Sequence, residues 1–131
     1  MRSPLPPTAA VLAFIDRINQ TDLEGLLALM TDDHYLKVMD EAPLRGKEAQ
    51  RPAWDGYFTA YPDYVIYPSR IAASGATVAV LGTTTGSHLG LPDEAEMKLT
   101  VIWRAEVRDG LLASWEVLED TPGAREALGL A

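Results

Sequence analysis

The helix-like segments of this chain come first and its long strand-like segments come afterwards. Up to Pro62 the apolar residues recur mostly at helical spacing; beyond it they fall in alternating runs rich in Val, Ile, Thr and aromatics. That order predicts an α+β fold, with N-terminal helices packed on one face of a curved, mostly antiparallel sheet. A length of 131 residues fits one domain, 1–131, with a single core.

After a Pro-rich lead-in over residues 1 to 7, Thr8 is placed to cap a helix. Val11, Leu12, Phe14, Ile15 and Ile18 follow as one apolar stripe. Asn19 and Gln20 end that helix. Thr21-Asp22-Leu23-Glu24 then reads as a capping box for a second, with Leu23, Leu26, Leu27 and Met30 on one face. Tyr35 to Met39 is a short strand. A third helix is expected from about Lys47 to Tyr61, carrying Trp54, Tyr57, Phe58 and Tyr61, with a kink or a late start at Pro52 and a stop at Pro62. Strands are expected over Tyr64–Ala73, Thr77–His88, Met97–Arg108 and Leu111–Glu119. Pro68 marks an edge or a bulge, and Gly82 and Gly86 mark bends or close backbone approach. Asp109-Gly110 is a hairpin turn in which both residues tolerate positive φ. Pro122-Gly123 ends the last strand, and Ala124 to Ala131 form a short tail.

Several function classes are excluded or disfavoured. The formal charge of -8, with scattered basic residues, leaves no basic stripe for a nucleic acid and disfavours anionic membranes. There is no cysteine, hence no disulfide and no thiolate chemistry. No run reaches the roughly 18 apolar residues of a membrane span, and the Pro-rich start makes a poor signal peptide. A soluble cytoplasmic protein is the expectation. Two isolated histidines make no zinc site, Gly82 and Gly86 make no phosphate loop, and Ser114 lacks a nucleophile elbow.

The run from Thr31 to Tyr64 is the most specific part of the sequence. It holds DDH at Asp32 to His34, then Gly46, Glu48, Trp54, Tyr57, Phe58 and Pro62-Asp63-Tyr64. With the leading helical hairpin, Asp109-Gly110 and Trp115, it resembles the SnoaL-like branch of the nuclear transport factor 2-like superfamily. The resemblance covers nearly the whole chain and implies a cone-shaped fold around one pocket. The superfamily includes polyketide cyclases, a steroid isomerase, an epoxide hydrolase, a dehydratase and many non-catalytic domains, so fold alone does not select a function. One position departs from the pattern. Relatives with the DDH stretch often carry an acid three residues after the His, where this chain has Lys37.

Asp120, at the end of the last strand, is the first candidate for a pocket acid or base, because similar proteins often carry a pocket Asp there. A carboxylate walled in by aromatics shifts its pKa toward neutrality and can shuttle a proton. Strand alternation opposes this placement. Glu116, Leu118 and Asp120 share one face, while Leu111, Ala113, Trp115 and Val117 share the other, unless a bulge intervenes. His34 is the second catalytic candidate, since imidazole titrates near neutrality. Trp54, Phe58, Tyr61, His88 and Trp103 are the candidate ligand-binding residues, and Tyr57 and Tyr67 are possible phenol donors. Asp32-Asp33 and Asp93-Glu94 read as solvated loop acids.

The combined expectation is a cofactor-independent cyclase, isomerase or hydrolase. It would act by proton transfer on a small apolar metabolite of polyketide, steroid or epoxide type. The alternatives are a non-catalytic ligand-binding domain, which Lys37 favours, and a dimerisation module. Thr100, Ile102, Leu112 and Leu118 give the outer sheet face apolar content, which predicts a homodimer through that face.

Overall fold

The computed structural model describes residues 3–131; the first two residues of the Pro-rich lead-in lie outside them. Helix α1 (Pro7–Asn19) begins with Pro7 in its first turn, where a missing N–H costs nothing, and Pro6 rather than Thr8 is its N-cap. It buries Val11, Phe14, Ile15 and Ile18, whereas Leu12 stays 44% exposed. Asn19 pins the end of α1 to the sheet. Its amide donates to the Ile66 carbonyl at 3.0 Å and accepts from the Ile66 N–H at 2.8 Å.

Helix α2 (Leu23–Ala28) is capped by Asp22, whose side chain accepts from the Gly25 N–H, and not by Thr21. Thr21 has φ 50° and donates its hydroxyl to the Gln20 carbonyl, and Glu24 pairs with Arg51. The expected capping box therefore does not form.

Strand β1 (Met30–Val38) starts five residues earlier than expected. After the two-residue β2 (Leu44–Arg45), helix α3 (Lys47–Ala60) runs unbroken through Pro52, so it does not start late. Its buried side is Gln50, Trp54 and Phe58, spaced by four. Strands β3 (Val65–Ser74) and β4 (Thr77–Thr85) form a hairpin; a short helix α4 (Asp93–Glu96) follows; β5 (Val101–Arg108) and β6 (Leu111–Glu119) form a second hairpin; helix α5 (Pro122–Ala127) is the last element, with four residues after it. Among the described residues no helix is long and apolar enough to cross a membrane.

The six strands lie in the order β2-β1-β6-β5-β4-β3 in a curved sheet that does not close, antiparallel except for the β1–β6 pair. Asp109 and Gly110 both have positive φ, 51° and 78°, as the hairpin turn requires. The β3 ladder shifts between Pro68 and Arg70, and Gly82 lies opposite Pro68, where an added Cβ would meet the Tyr67 carbonyl oxygen at 2.3 Å.

A bulge in the middle of β6 sets the phase of everything after it. Val107 pairs with Leu112 and Arg104 with Glu116, so three β6 residues oppose two on β5. Leu112 and Trp115 both reach the main core as a result, and Val117 packs against it. The inner face of the sheet, with α1, α2 and α3 against it, builds that core around Phe14, Trp103 and Trp115, the two indoles stacked at 6.2 Å. Leu112 thus points inward and not to the outer face. Ile102 does point outward, but Leu130 of the tail covers it.

Candidate functional site

The core is not filled to the end of the sheet. Between α3, the α4 segment and the inner face of β1, β4, β5 and β6 lies a cavity of about 500 Å³. Trp54, Trp103 and Trp115 wall it with Tyr57 and Tyr64, and Leu36, Val38, Val101 and Val117 supply aliphatic surface. Its mouth is marked by lining residues that stay exposed, Met39 at 40% and Leu89 and Leu99 at 51%. The Trp54 indole N–H has no hydrogen-bond partner within the described protein, which leaves a donor on a cavity-lining side chain.

Besides the exposed Glu41 and Thr100, two polar features interrupt this apolar lining. The first is Glu96, only 1% exposed, at the end of α4. The Thr84 hydroxyl donates to one of its carboxyl oxygens, and the Ser87 N–H reaches the other at 3.4 Å. No Lys or Arg lines the cavity, and Glu96 takes part in no ion pair among the described residues. A buried carboxylate held by neutral donors alone keeps lone pairs for a ligand.

The second feature is the Tyr57–His88 pair. The Tyr57 hydroxyl lies 2.9 Å from His88 Nδ1 and accepts from the His88 backbone N–H at 3.3 Å. Which group carries the proton in the shorter contact follows the state of the imidazole. His88 is exposed at the mouth and Tyr57 is half-buried, so the pair links solvent to the cavity. Burial raises the Tyr57 phenol above its ordinary pKa, with the charge of Glu96 adding to the effect. Tyr64 is raised more strongly, again mainly by burial. Both phenols therefore remain protonated donors at neutral pH.

The chain turns sharply to deliver these groups. Gly86 ends β4 at φ 69°, and an added Cβ would meet the Asp63 carbonyl oxygen at 2.4 Å. Only glycine fits a positive φ against so close a backbone. Beyond it Ser87 and His88 cross toward Tyr57 on α3.

The sequence of the SnoaL-like domain family matches residues 11–115 of this chain. The chain belongs to the SnoaL-like family. Solved structures agree on the fold. A nuclear transport factor 2-like protein of unknown function from Cytophaga hutchinsonii superposes with TM-score 0.71 at 12% identity, over 92% of this chain and 95% of that one. A candidate polyketide cyclase from Sinorhizobium meliloti gives 0.69 at 24% identity, over 86% and 94%. TerC, co-crystallised with polyporic acid, gives 0.69 at 20% identity, over 95% and 99%. No curated protein matches the sequence.

In this SnoaL-like domain the residues singled out by sequence separate. Trp54, His88 and Trp103 line the cavity together. Phe58 is buried beside Trp54 in the core, with ring centroids 5.5 Å apart, but is not part of the lining. Tyr61 packs against Tyr57 with the rings tilted and their centroids 4.8 Å apart, and is not part of the lining.

Neither expected proton-transfer residue faces the cavity. Asp120 keeps the phase of Glu116 and Leu118, because the β6 bulge lies before all three. It points to the outer face, where Arg125 donates two hydrogen bonds, 2.7 and 2.6 Å, and the Thr100 hydroxyl a third. Arg125 first, then Thr100, holds its carboxyl down at about 2. His34 is 0% exposed on the α1 side of the core, its ring 5.9 Å from that of Phe14. Its Nδ1 lies 2.7 Å from the Leu112 carbonyl oxygen and bridges β1 to β6 where their register shifts between Met30 and Tyr35. Burial pushes its pKa below the ordinary value, which keeps the ring neutral.

Position 37 also reads differently in three dimensions. Leu36 and Val38 line the cavity, while Lys37 pairs in register with outward-facing Glu116 and donates to the Met39 carbonyl. An acid at 37 would leave the cavity as it is. The sequence reading missed Glu96, which stands in a helical turn whose other acids, Asp93 and Glu94, are exposed as expected. Its one weak signal is spacing, since the third residue of the Glu94-Ala95-Glu96 triplet ends the turn against the Thr-rich end of β4.

Proposed function

We propose that this SnoaL-like domain holds a small, largely apolar molecule in the Trp103 cavity and moves a proton on it without a cofactor. The reaction class is that of a cyclase, isomerase or hydrolase on a polyketide-, steroid- or epoxide-like compound. The observation that carries this reading is Glu96, a buried carboxylate without a cationic partner on the wall of an aromatic cavity. As a carboxylate it can take a proton from a carbon next to a carbonyl, or from a water aimed at an epoxide. The electron pair left behind moves to the carbonyl oxygen, where the Tyr57 hydroxyl or the Trp54 indole N–H can stabilise it. Returning the proton to another carbon completes an isomerisation. In a cyclisation the carbanion bonds to a second carbonyl carbon, that C=O bond opens to an alkoxide, and the alkoxide takes the proton back from Glu96. In an epoxide hydrolysis the hydroxide bonds to an epoxide carbon, the C–O bond breaks, and the released oxygen takes the proton from Glu96. The aromatic walls exclude water and orient a flat substrate.

The rival is a ligand-binding domain without chemistry. It is favoured by the placement of Asp120 and His34 away from the cavity. A screen of polyketide, steroid and epoxide substrates, run beside Trp-fluorescence titrations of the same compounds, separates the two. Turnover that disappears in Glu96→Gln supports proton transfer. Micromolar binding with no turnover of any bound compound replaces it with the binding reading. Turnover untouched by Glu96→Gln removes Glu96 from the reaction.

A further inference from the structure

The cavity lining carries charge of one sign. Two carboxyl side chains belong to it, Glu96 on the wall and the exposed Glu41 at the mouth, and no Lys or Arg does. Its other titratable side chains are Tyr57, Tyr64 and His88. His88 is exposed at the mouth, with Nδ1 2.9 Å from the Tyr57 hydroxyl, and burial keeps both phenols protonated. The interior therefore offers a ligand a carboxyl group and no cation.

Around that carboxyl the wall is aromatic. Trp54, Tyr57, Tyr64, Trp103 and Trp115 bring three indoles and two phenols to one space. Tyr57 and Tyr64 stand edge to face, their ring centroids 5.0 Å apart and their planes at 79°, and Tyr57 meets Trp54 in the same manner at 6.4 Å and 73°. Both phenols feel the charge of Glu96, which places its carboxyl beside this cluster. The negative face of an aromatic ring attracts a cation, and more strongly where water is excluded. A metal ion is a poor match, because it needs several ligand atoms at once and no three acids or histidines come together among the described residues. A cation that brings its own apolar surface fits both the rings and the carboxyl.

We propose that the cavity selects cationic molecules: its ligand is largely apolar and carries one protonated nitrogen, which donates to Glu96 while the carbon skeleton lies against the indoles and phenols. This rests on the ligand-holding cavity of the proposed function and names the class of molecule it takes. Thr84 and Ser87 use only part of the acceptor capacity of the Glu96 carboxyl, so lone pairs remain for the nitrogen. The net charge of -8 draws cations toward the chain. Proton transfer gains from the same choice. Where the reacting carbon stands beside a protonated C=N group, Glu96 takes the proton, the C–H electron pair forms a C=C bond, and the C=N π pair moves to nitrogen as a lone pair. Two opposite charges cancel in that step, which a site with little water favours. Beside a carbonyl, the negative charge only moves from Glu96 to an oxygen that no Lys or Arg reaches.

The test titrates three compounds that share a naphthylmethyl group into wild type and Glu96→Gln by calorimetry at neutral pH. Naphthylmethylamine is then a cation, naphthylmethanol is neutral and naphthylacetate is an anion. In the wild type the amine is expected to bind about tenfold or more tighter than the alcohol, the worth of one hydrogen bond to a charged group with cation–π contact. Naphthylacetate is expected to bind more weakly than either. In Glu96→Gln the amine should fall to within about twofold of the alcohol, and the alcohol should bind as before, as a neutral ligand does. Alcohol or naphthylacetate binding as tightly as the amine in the wild type overturns the proposal and leaves the cavity to neutral or anionic molecules. An amine preference that survives in Glu96→Gln overturns it as well, because the selecting charge then lies elsewhere. Absence of binding by all three at millimolar concentration overturns the proposal together with the ligand-holding cavity on which it rests. Should circular dichroism show Glu96→Gln to be unfolded, Glu96→Met, which needs no polar partner, takes its place in the same titrations.

Discussion

Two carboxylates at the same end of the sheet have opposite surroundings. Asp120, on the outer face, receives two bonds from the Arg125 guanidinium and one from Thr100. Glu96, on the inner face, receives a hydroxyl and a distant backbone N–H, and no cation. The outer site is electrically closed, and its acid serves to hold α5 in place. The inner site buries its carboxyl more deeply and brings no cation to it, which leaves its oxygens to neutral donors alone. A carboxylate's chemistry is thus set by which cations reach it, and only the inner one is free to act on another molecule.

The sharpest way to break this contrast is to neutralise each acid in turn and follow turnover of whichever substrate the screen yields. Glu96→Gln is expected to lower kcat between about 100- and 10,000-fold, the range of general acid–base catalysis, with KM little changed. Asp120→Asn is expected to leave both within a factor of about two, as for a residue outside the reacting site. An equal loss from both changes would dissolve the distinction. Tyr57→Phe keeps the ring wall and removes the hydroxyl that His88 contacts. Its expected effect is about a tenfold loss, the worth of one hydrogen bond in the transition state.

The fold was legible in the sequence because it rests on periodicity. The α1 stripe apart from the exposed Leu12, the Asp109-Gly110 hairpin and the extent of the strand Leu111–Glu119 stand where periodicity and turn chemistry put them. The aromatic side of the pocket was half legible for the same reason, as Trp54 and Trp103 face inward by period. The polar side was not. Which way Asp120 points depends on where a single extra residue enters β6, and a bulge at residues 113–115 leaves no mark in composition. His34 illustrates a second limit. Its value to this molecule is a bond to the carbonyl of Leu112, 78 residues away, at a register shift that no local pattern encodes. Glu96 became significant only when α4 folded against Thr84 and Ser87, a contact between segments that each read as ordinary loop or strand.

The outer face offers smaller effects that sharpen its half of the comparison. Leu130→Ala removes the side chain that seals the Ala79–Ile102 patch. It is expected to cost about 2 kcal/mol in urea unfolding, at the low end for a buried leucine because a chain terminus relaxes readily. A value near zero would mean that the tail contributes nothing to the folded state.

The smallest effect belongs to Asp120, and its signature is its pH dependence more than its size. The carboxyl titrates at about 2 in the folded chain, because Arg125 and then Thr100 bond its charged form. In an unfolded chain an aspartate titrates at about 3.9. A folded-state pKa below the unfolded one means that the unfolded chain binds the proton first, so the contribution is complete above about pH 4 to 5 and drains away as the pH falls toward 2. Wild type should therefore exceed Asp120→Asn in stability at neutral pH by less than the Leu130→Ala loss, since Arg125 is 35% exposed and water screens the pair. The gap should close between about pH 4 and pH 2. Other carboxylates with lowered pKa, Asp22, Asp33 and Glu24 among them, weaken both proteins equally in acid and cancel in the difference. Hydrogen exchange locates the loss. On acidification of the wild type, the amides of α5 should lose protection before those of β4 and β5, whereas in Asp120→Asn the α5 amides should already exchange faster at neutral pH. A gap that stays constant from neutral pH down to 2 would show that Asp120 holds the tail by shape and not by charge. The contrast with Glu96 would then have to rest on burial alone.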